Sequence, residues 1–193
     1  MKREIRRAFL VLTFFSILTG FLYPIFVTAF SRLFFSYRAA GSIVIFQGKM
    51  VGSELIGQNF KKPEYFHGRP SEVNNDAGNS GGSNFGPTNK VLIKRVQERA
   101  DSFRSENGLP KDRKVPADMV LESASGLDPH ISFEAALFQV RRVSGVRRLP
   151  EGEVLALVKE CTETPVLGFL GRTRVNVLNL NIRLDRLQQE GKQ

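Results

Sequence analysis

The hydrophobic pattern divides the chain sharply. From Ala8 to Phe35 it reads AFLVLTFFSILTGFLYPIFVTAFSRLFF, with no charged residue between Ala8 and Ser31. A run this long predicts a membrane-spanning helix, which needs about 20 mainly apolar residues to cross ~30 Å of hydrocarbon. A lone segment can satisfy its own backbone there only as a helix. A cleavable leader would share the basic start and a small-residue site, here Val27-Thr28-Ala29, but its apolar core spans only ~7–15 residues, so an uncleaved anchor is expected. Gly20 and Pro24 fall inside the span, where they predict a kink that either packs against neighbouring helices or simply bends the anchor.

Past the span the pattern shortens. Residues 42–46 and 50–56 predict two strands of a hairpin around Gln47-Gly48-Lys49. Residues 57–89 are rich in Gly, Pro, Asn and Ser, which excludes regular structure. A loop that long in a compact domain is functional or disordered, and Phe60, Tyr65, Phe66 and Phe85 along it predict anchoring onto the domain surface. Val91, Leu92, Val96, Ala100 and Phe103 form the apolar stripe of a helix over 89–105, ended by Asn107-Gly108-Leu109-Pro110. A short helix is expected over 116–121 and turns over 123–130. Ser132 should cap a helix running to Val143, with Glu134 in its first turn. Pro150 opens another helix through Lys159, and residues 175–182 predict a strand passing into a helix. The expected fold is α+β: one N-terminal transmembrane helix followed by a single mixed α/β extracytoplasmic domain. Its boundaries are a cytoplasmic 1–7, a span at 8–35 and a folded part at 36–193.

Charge sets the orientation. Lys2, Arg3, Arg6 and Arg7 precede the span against Glu4 alone, which keeps the N-terminus in the cytoplasm and exports the rest. The whole chain carries a net charge of +9. Residues 1–38 hold six basic residues and one acid, so the remainder has 22 basic and 18 acidic residues in alternating order, a solvated surface with no nucleic-acid patch. The lone Cys161 excludes an internal disulfide.

Chemistry is sparse. Two histidines, His67 and His130, sit in separate turn segments without the cluster that zinc requires, so no metal is expected. Ser125, Asp128 and His130 would allow an anchored periplasmic hydrolase, but the Gly-x-Ser-x-Gly elbow is missing; Asp128 is better suited to hold a turn through backbone hydrogen bonds. Ser80-Gly81-Gly82-Ser83-Asn84 could cradle an anion, yet it lacks a phosphate-loop lysine and leads into no helix directly.

Four stretches carry a resemblance: Tyr65-Phe66-His67-Gly68-Arg69-Pro70-Ser71, preceded by Gly57-Gln58-Asn59-Phe60; Ser80-Gly81-Gly82-Ser83-Asn84; Ser123-Ala124-Ser125-Gly126-Leu127-Asp128, continuing to His130; and Val175-Asn176-Val177-Leu178 with Leu180-Asn181 and Leu184-Asp185. In this order, behind one N-terminal span, the chain resembles KdpC, the C subunit of the bacterial potassium-transporting P-type ATPase. Gln139, Arg142 and Val143 follow that family's Gln-x-x-Arg-Val pattern, with Arg147 beyond. The resemblance implies a non-catalytic accessory subunit in the inner membrane. Its partners would be a channel-like potassium subunit, a P-type subunit that hydrolyses ATP, a small membrane subunit and membrane lipid. ATP and K⁺ would be used by the complex, with no cofactor assigned to this chain. Two jobs are implied: a catalytic chaperone that raises ATP affinity, or an extracellular cap that aids assembly or entry. The motif residues would shape the domain or its contact face. Around Cys161–Pro165 the chain departs from the family pattern, so no ligand contact is carried over there.

Overall fold

One continuous helix takes up the apolar run. It is built from α1 (Lys2–Ile17), a π-helical turn (Leu18–Leu22) and α2 (Tyr23–Phe34). The computed structural model describes residues 1–191. They fall into two units, one ending at Ile43 and one beginning at Val44. Lys2–Phe34 is the one helix among the described residues long and apolar enough to cross a membrane, and its most apolar window has a mean hydropathy of 2.1. The π turn has a local cause. Pro24 offers no N–H to the Gly20 carbonyl and its ring crowds that carbonyl; the backbone widens just before it, and the Tyr23 N–H reaches five residues back to Leu18 O. Beyond the turn, Phe26, Phe30 and Phe34 stack along one side, with ring centroids 6.2 and 4.6 Å apart. The expected kink is thus resolved as a π turn. A short α3 (Ser36–Ala39), not expected from the pattern, follows.

A hairpin comes next, β1 (Ile43–Phe46) and β2 (Lys49–Ser53). Gln47 and Gly48 both have positive φ, 51° and 73°, as a tight two-residue turn between twisted strands requires. β2 ends at Ser53, three residues short of the predicted strand. The described backbone forms no helix or strand from 57 to 89. Asn89 then caps α4 (Lys90–Glu106), its side chain accepting from the Val91 N–H. The helix expected over 116–121 is a single 3₁₀ turn, Ala117–Met119.

β3 (His130–Ser132), β4 (Thr162–Glu163) and β5 (Arg174–Asn176) make a small antiparallel sheet in the order β3-β5-β4, with Ile131 opposite Val175. Two- and three-residue strands are too short to show alternation, which is why β3 and β4 were not legible. Ser132 caps α5 (Phe133–Arg147) as expected, accepting from the Ala135 N–H. The helix passes Val143 by a full turn. Ser144 and Gly145 are weak helix formers, but buried Arg147 makes tertiary bonds that hold the extra turn, and Arg148 ends it in the left-handed region. α6 (Glu151–Glu160) packs against α5 and α7 (Val177–Glu190). The core between helices and sheet holds Val140, Val143, Val154, Val158, Val175, Leu180 and Leu184.

Asn176 joins strand to helix. Its Oδ1 accepts from the Asn179 N–H at 3.1 Å, capping α7, and its Nδ2 donates to Glu54 O at 2.8 Å. Asn176→Ala should therefore cost about 1–2 kcal/mol, the usual worth of a lost N-cap, measurable as a lower unfolding midpoint of the full chain in detergent.

Candidate functional site

A loop of 33 residues without strand partners must find other partners for its backbone groups. Residues 57–89 do so through side-chain amides from two helices. Phe66, wholly buried, anchors the loop in the core. Its N–H donates to Asn181 Oδ1 at 2.9 Å and its carbonyl accepts from Asn181 Nδ2 at 3.0 Å. The next residue is clasped in the same manner from α5: the His67 N–H donates to Gln139 Oε1 at 2.7 Å, and Gln139 Nε2 donates to His67 O at 3.2 Å. Each carboxamide replaces one rung of a β-ladder.

Two arginines brace the loop just before the clasp. Arg142 donates to Pro63 O, to Tyr65 O at 3.0 Å, to Asn107 Oδ1 at 3.0 Å and to Gln139 Oε1 at 2.8 Å. Arg147 donates to Glu64 O at 2.7 Å, pairs with Asp185 at 2.7 Å and lies over the Tyr65 ring at 4.8 Å. The Tyr65 hydroxyl donates to Asp185 at 3.3 Å. Burial and then Arg142 push the pKa of His67 below its ordinary value, against opposing pulls from Lys62 O and Glu106. The ring is neutral at pH 7, so its 3.6 Å approach to Glu106 is a polar contact and not an ion pair.

The second half of the loop closes on the 123–130 turn. Arg69 donates to Asp128 at 2.9 Å and to Glu122 O at 3.1 Å. Ser71 donates to Gly126 O at 2.7 Å, Ser80 to Ser125 O at 3.2 Å and the Gly81 N–H to Ser125 O at 2.9 Å. Gly126 has φ +69°, and a Cβ there would meet Gly81 O at 2.8 Å, so only glycine lets the two turns touch. A Cβ at Gly82 would meet Ala124 O at 3.2 Å, a less tight approach. Beside Ser83, Glu122 accepts from Arg99 at 2.5 Å; burial alone would raise its pKa, but Arg99, Ser83 and Glu72 together bring it below the ordinary value. Asn84 turns the chain at φ 54°. Leu127 O accepts from the Gly57 N–H at 2.7 Å. Asp128 Oδ1 accepts from the His130 N–H at 3.0 Å and faces its ring Nδ1 at 3.3 Å. Burial alone would raise the Asp128 pKa; the bonds from His130 and Arg69 override it and bring it to about 2.

Most of the motif residues predicted from sequence thus lie in one connected brace, with Pro70 and Gly68 lining a cavity of about 250 Å³ against α4, while Asn176 bonds Glu54 and Asn179 instead. Sequence reasoning missed Glu122, Arg99 and Asn107, which only the folded chain brings together. The turn expected from Asp128 is present, although it leads into β3 and not directly into a helix. Ser125 Oγ accepts from the Leu127 N–H at 3.1 Å, and no hydrogen bond joins it to His130 among the described residues. The Gly81 amide that could have met an anion is taken by Ser125 O, and both ends of the fully buried Gln139 amide are taken by His67. Neither group offers a nucleotide a free donor. Among the described residues no three His, Cys, Asp or Glu gather as metal ligands.

Asn181→Leu strands both backbone groups of Phe66. At ~1–3 kcal/mol for each buried unsatisfied group, the loss of stability should be about 2–4 kcal/mol, read by denaturant unfolding. Asp128, with its folded pKa depressed, stabilises the fold fully above its ordinary pKa of 3.8, and this stabilisation is lost as pH falls towards about 2. Asp128→Asn should flatten the fall of the thermal midpoint over that acid window while lowering the midpoint at pH 7.

The family model for KdpC, the K⁺-transporting ATPase c chain, matches residues 5–186. A potassium-transporting ATPase KdpC subunit of Bradyrhizobium diazoefficiens is 46% identical over 200 residues, covering 96% of this chain and 98% of its own. That of Polaromonas naphthalenivorans is 48% identical over 191 residues, covering 97% of each. The Mycobacterium tuberculosis subunit is 44% identical over 189 residues, covering 97% of this chain and all of its own. With a braced loop built from the motifs that carry the resemblance, and similarity running nearly end to end, the chain belongs to the KdpC family.

Proposed function

We propose that the chain is a membrane-anchored, non-catalytic accessory subunit of an ATP-driven potassium uptake complex. In this reading the Lys2–Phe34 helix holds it in the bacterial inner membrane, residues 1–7 stay in the cytoplasm and the folded body stands in the periplasm. It docks on the channel-like subunit beside the ATP-hydrolysing and small membrane subunits. Family membership supports the transport role, and the basic flank Lys2, Arg3, Arg6 and Arg7 supports the orientation.

The observation that carries the non-catalytic part is the inward use of the motif side chains. Gln139, Asn181, Arg142, Arg147 and Asp128 spend their polar atoms on the protein's own backbone and on one another. A body outside the membrane cannot touch nucleotide in the cytoplasm, so a raised ATP affinity would reach the hydrolysing subunit as a coupling free energy between conformational states, typically ~1–3 kcal/mol.

Two measurements test this reading. Alkaline phosphatase fused after Gln193 should be active and a green fluorescent reporter there dark; the reverse pattern overturns the orientation. The purified full chain should neither bind nor hydrolyse ATP, whereas omitting it from the reconstituted complex should raise the KM for ATP of K⁺-stimulated hydrolysis about 5- to 150-fold, the range of ordinary couplings. Hydrolysis by the chain alone, or an unchanged complex without it, would overturn the accessory role.

A further inference from the structure

Between β4 and β5 the chain leaves the sheet and returns as a narrow finger. Val166 and Leu170 pair antiparallel at its stem: the Val166 N–H donates to Leu170 O at 3.0 Å and the Leu170 N–H to Val166 O at 2.9 Å. The Gly168 N–H donates to Pro165 O at 3.0 Å and the Phe169 N–H to Val166 O at 3.4 Å. Leu167 and Gly168, at φ 55° and 82°, make the turn. The side chains that result are almost all apolar and face outward: Val166 is 66%, Leu167 79%, Phe169 73% and Leu170 52% exposed. None of them contributes to the core.

Scattered exposed apolar residues need no explanation, but four within five positions at the end of a projection form a patch that folding leaves uncovered. Two further properties say what covers it. Four of the five backbone N–H groups from Val166 to Leu170 are satisfied within the finger, so a less polar medium would strand few donors. The finger's base is basic: Arg172 and Arg174 follow it, and no Asp or Glu occurs between Glu163 and Asp185. Arg174 pairs with Glu163 at 2.8 Å, and Arg172 is exposed. An apolar tip on a basic collar complements an anionic bilayer surface, with hydrocarbon below and phosphates above.

We infer that the Val166–Leu170 finger dips into the surface of the bilayer that holds the chain's helix, with Arg172 at the headgroup phosphates, as a second and shallow membrane contact. Because one chain carries both helix and finger, the bilayer is held near the body at high effective concentration, and a contact too weak to recruit a free domain still forms. The inference rests on the membrane-anchor reading and is independent of the transport reading.

The chain has no tryptophan, so Phe169→Trp places a single reporter on an exposed position that leaves the core intact. The full-length variant is reconstituted into vesicles of phosphatidylcholine and phosphatidylglycerol, with and without brominated acyl chains. Flotation with the vesicles reports the anchor separately. The expected result is blue-shifted emission that bromine quenches at a depth of about 5–10 Å, with quenching reduced by Arg172→Gln or by pure phosphatidylcholine. Water-like, unquenched emission from protein that floats overturns the finger and leaves the anchor standing. Blue-shifted emission that bromine fails to quench also overturns it, because the tip then sits in a protein pocket. Protein that does not float overturns both.

Discussion

Backbone groups buried without partners are among the costliest defects a fold can carry, and residues 57–89 form no ladder to prevent them. Two carboxamides, Asn181 on α7 and Gln139 on α5, supply the missing partners for consecutive residues Phe66 and His67. Once that point is pinned, Phe66 fills the core and Arg142 and Arg147 reach the carbonyls just before it. The rest of the loop then lies where Arg69, Ser71 and Gly81 can meet the 123–130 turn. The helices are therefore spaced by the loop as much as the loop is held by the helices.

This arrangement turns the family-specific motif inward, onto the protein's own backbone. Histidine, arginine, serine and aspartate within a few residues look like reactive machinery in a sequence. Here Arg69 pairs with Asp128, which also accepts from the His130 N–H around a turn, and the acid is held ionised below its ordinary range. These bonds fix the loop and the 123–130 turn in one mutual shape.

Much of the scaffold was legible because its signals are local. The apolar run, the Gln47-Gly48 turn, the Ser132 cap and the periodic stripe of α4 each follow from a few neighbouring residues. The aromatic residues of the long loop foretold that it would be anchored, and Phe66 is. What escaped was non-local. β3 and β4 are too short for a periodic pattern, and β3 meets β5 across more than forty residues, as His130 opposite Asn176 shows. Helix α5 outran its prediction because Arg147 finds Glu64, Gln188 and Asp185, partners from distant segments. The site residues were named from family motifs, but their mutual geometry was not readable from the sequence. Nothing in the spacing of Gln139 and Asn181 says that both amides converge on adjacent residues of one loop.

The π turn before Pro24 has a consequence for the long helix as a whole. One residue inserted into a helical repeat of 3.6 turns everything after it by about 100° relative to an unbroken helix. The Phe26, Phe30 and Phe34 ridge is therefore out of phase with the side chains of α1. A straight, regular helix would offer a neighbour one continuous seam from end to end; this one changes seam halfway, so its two halves address different surroundings.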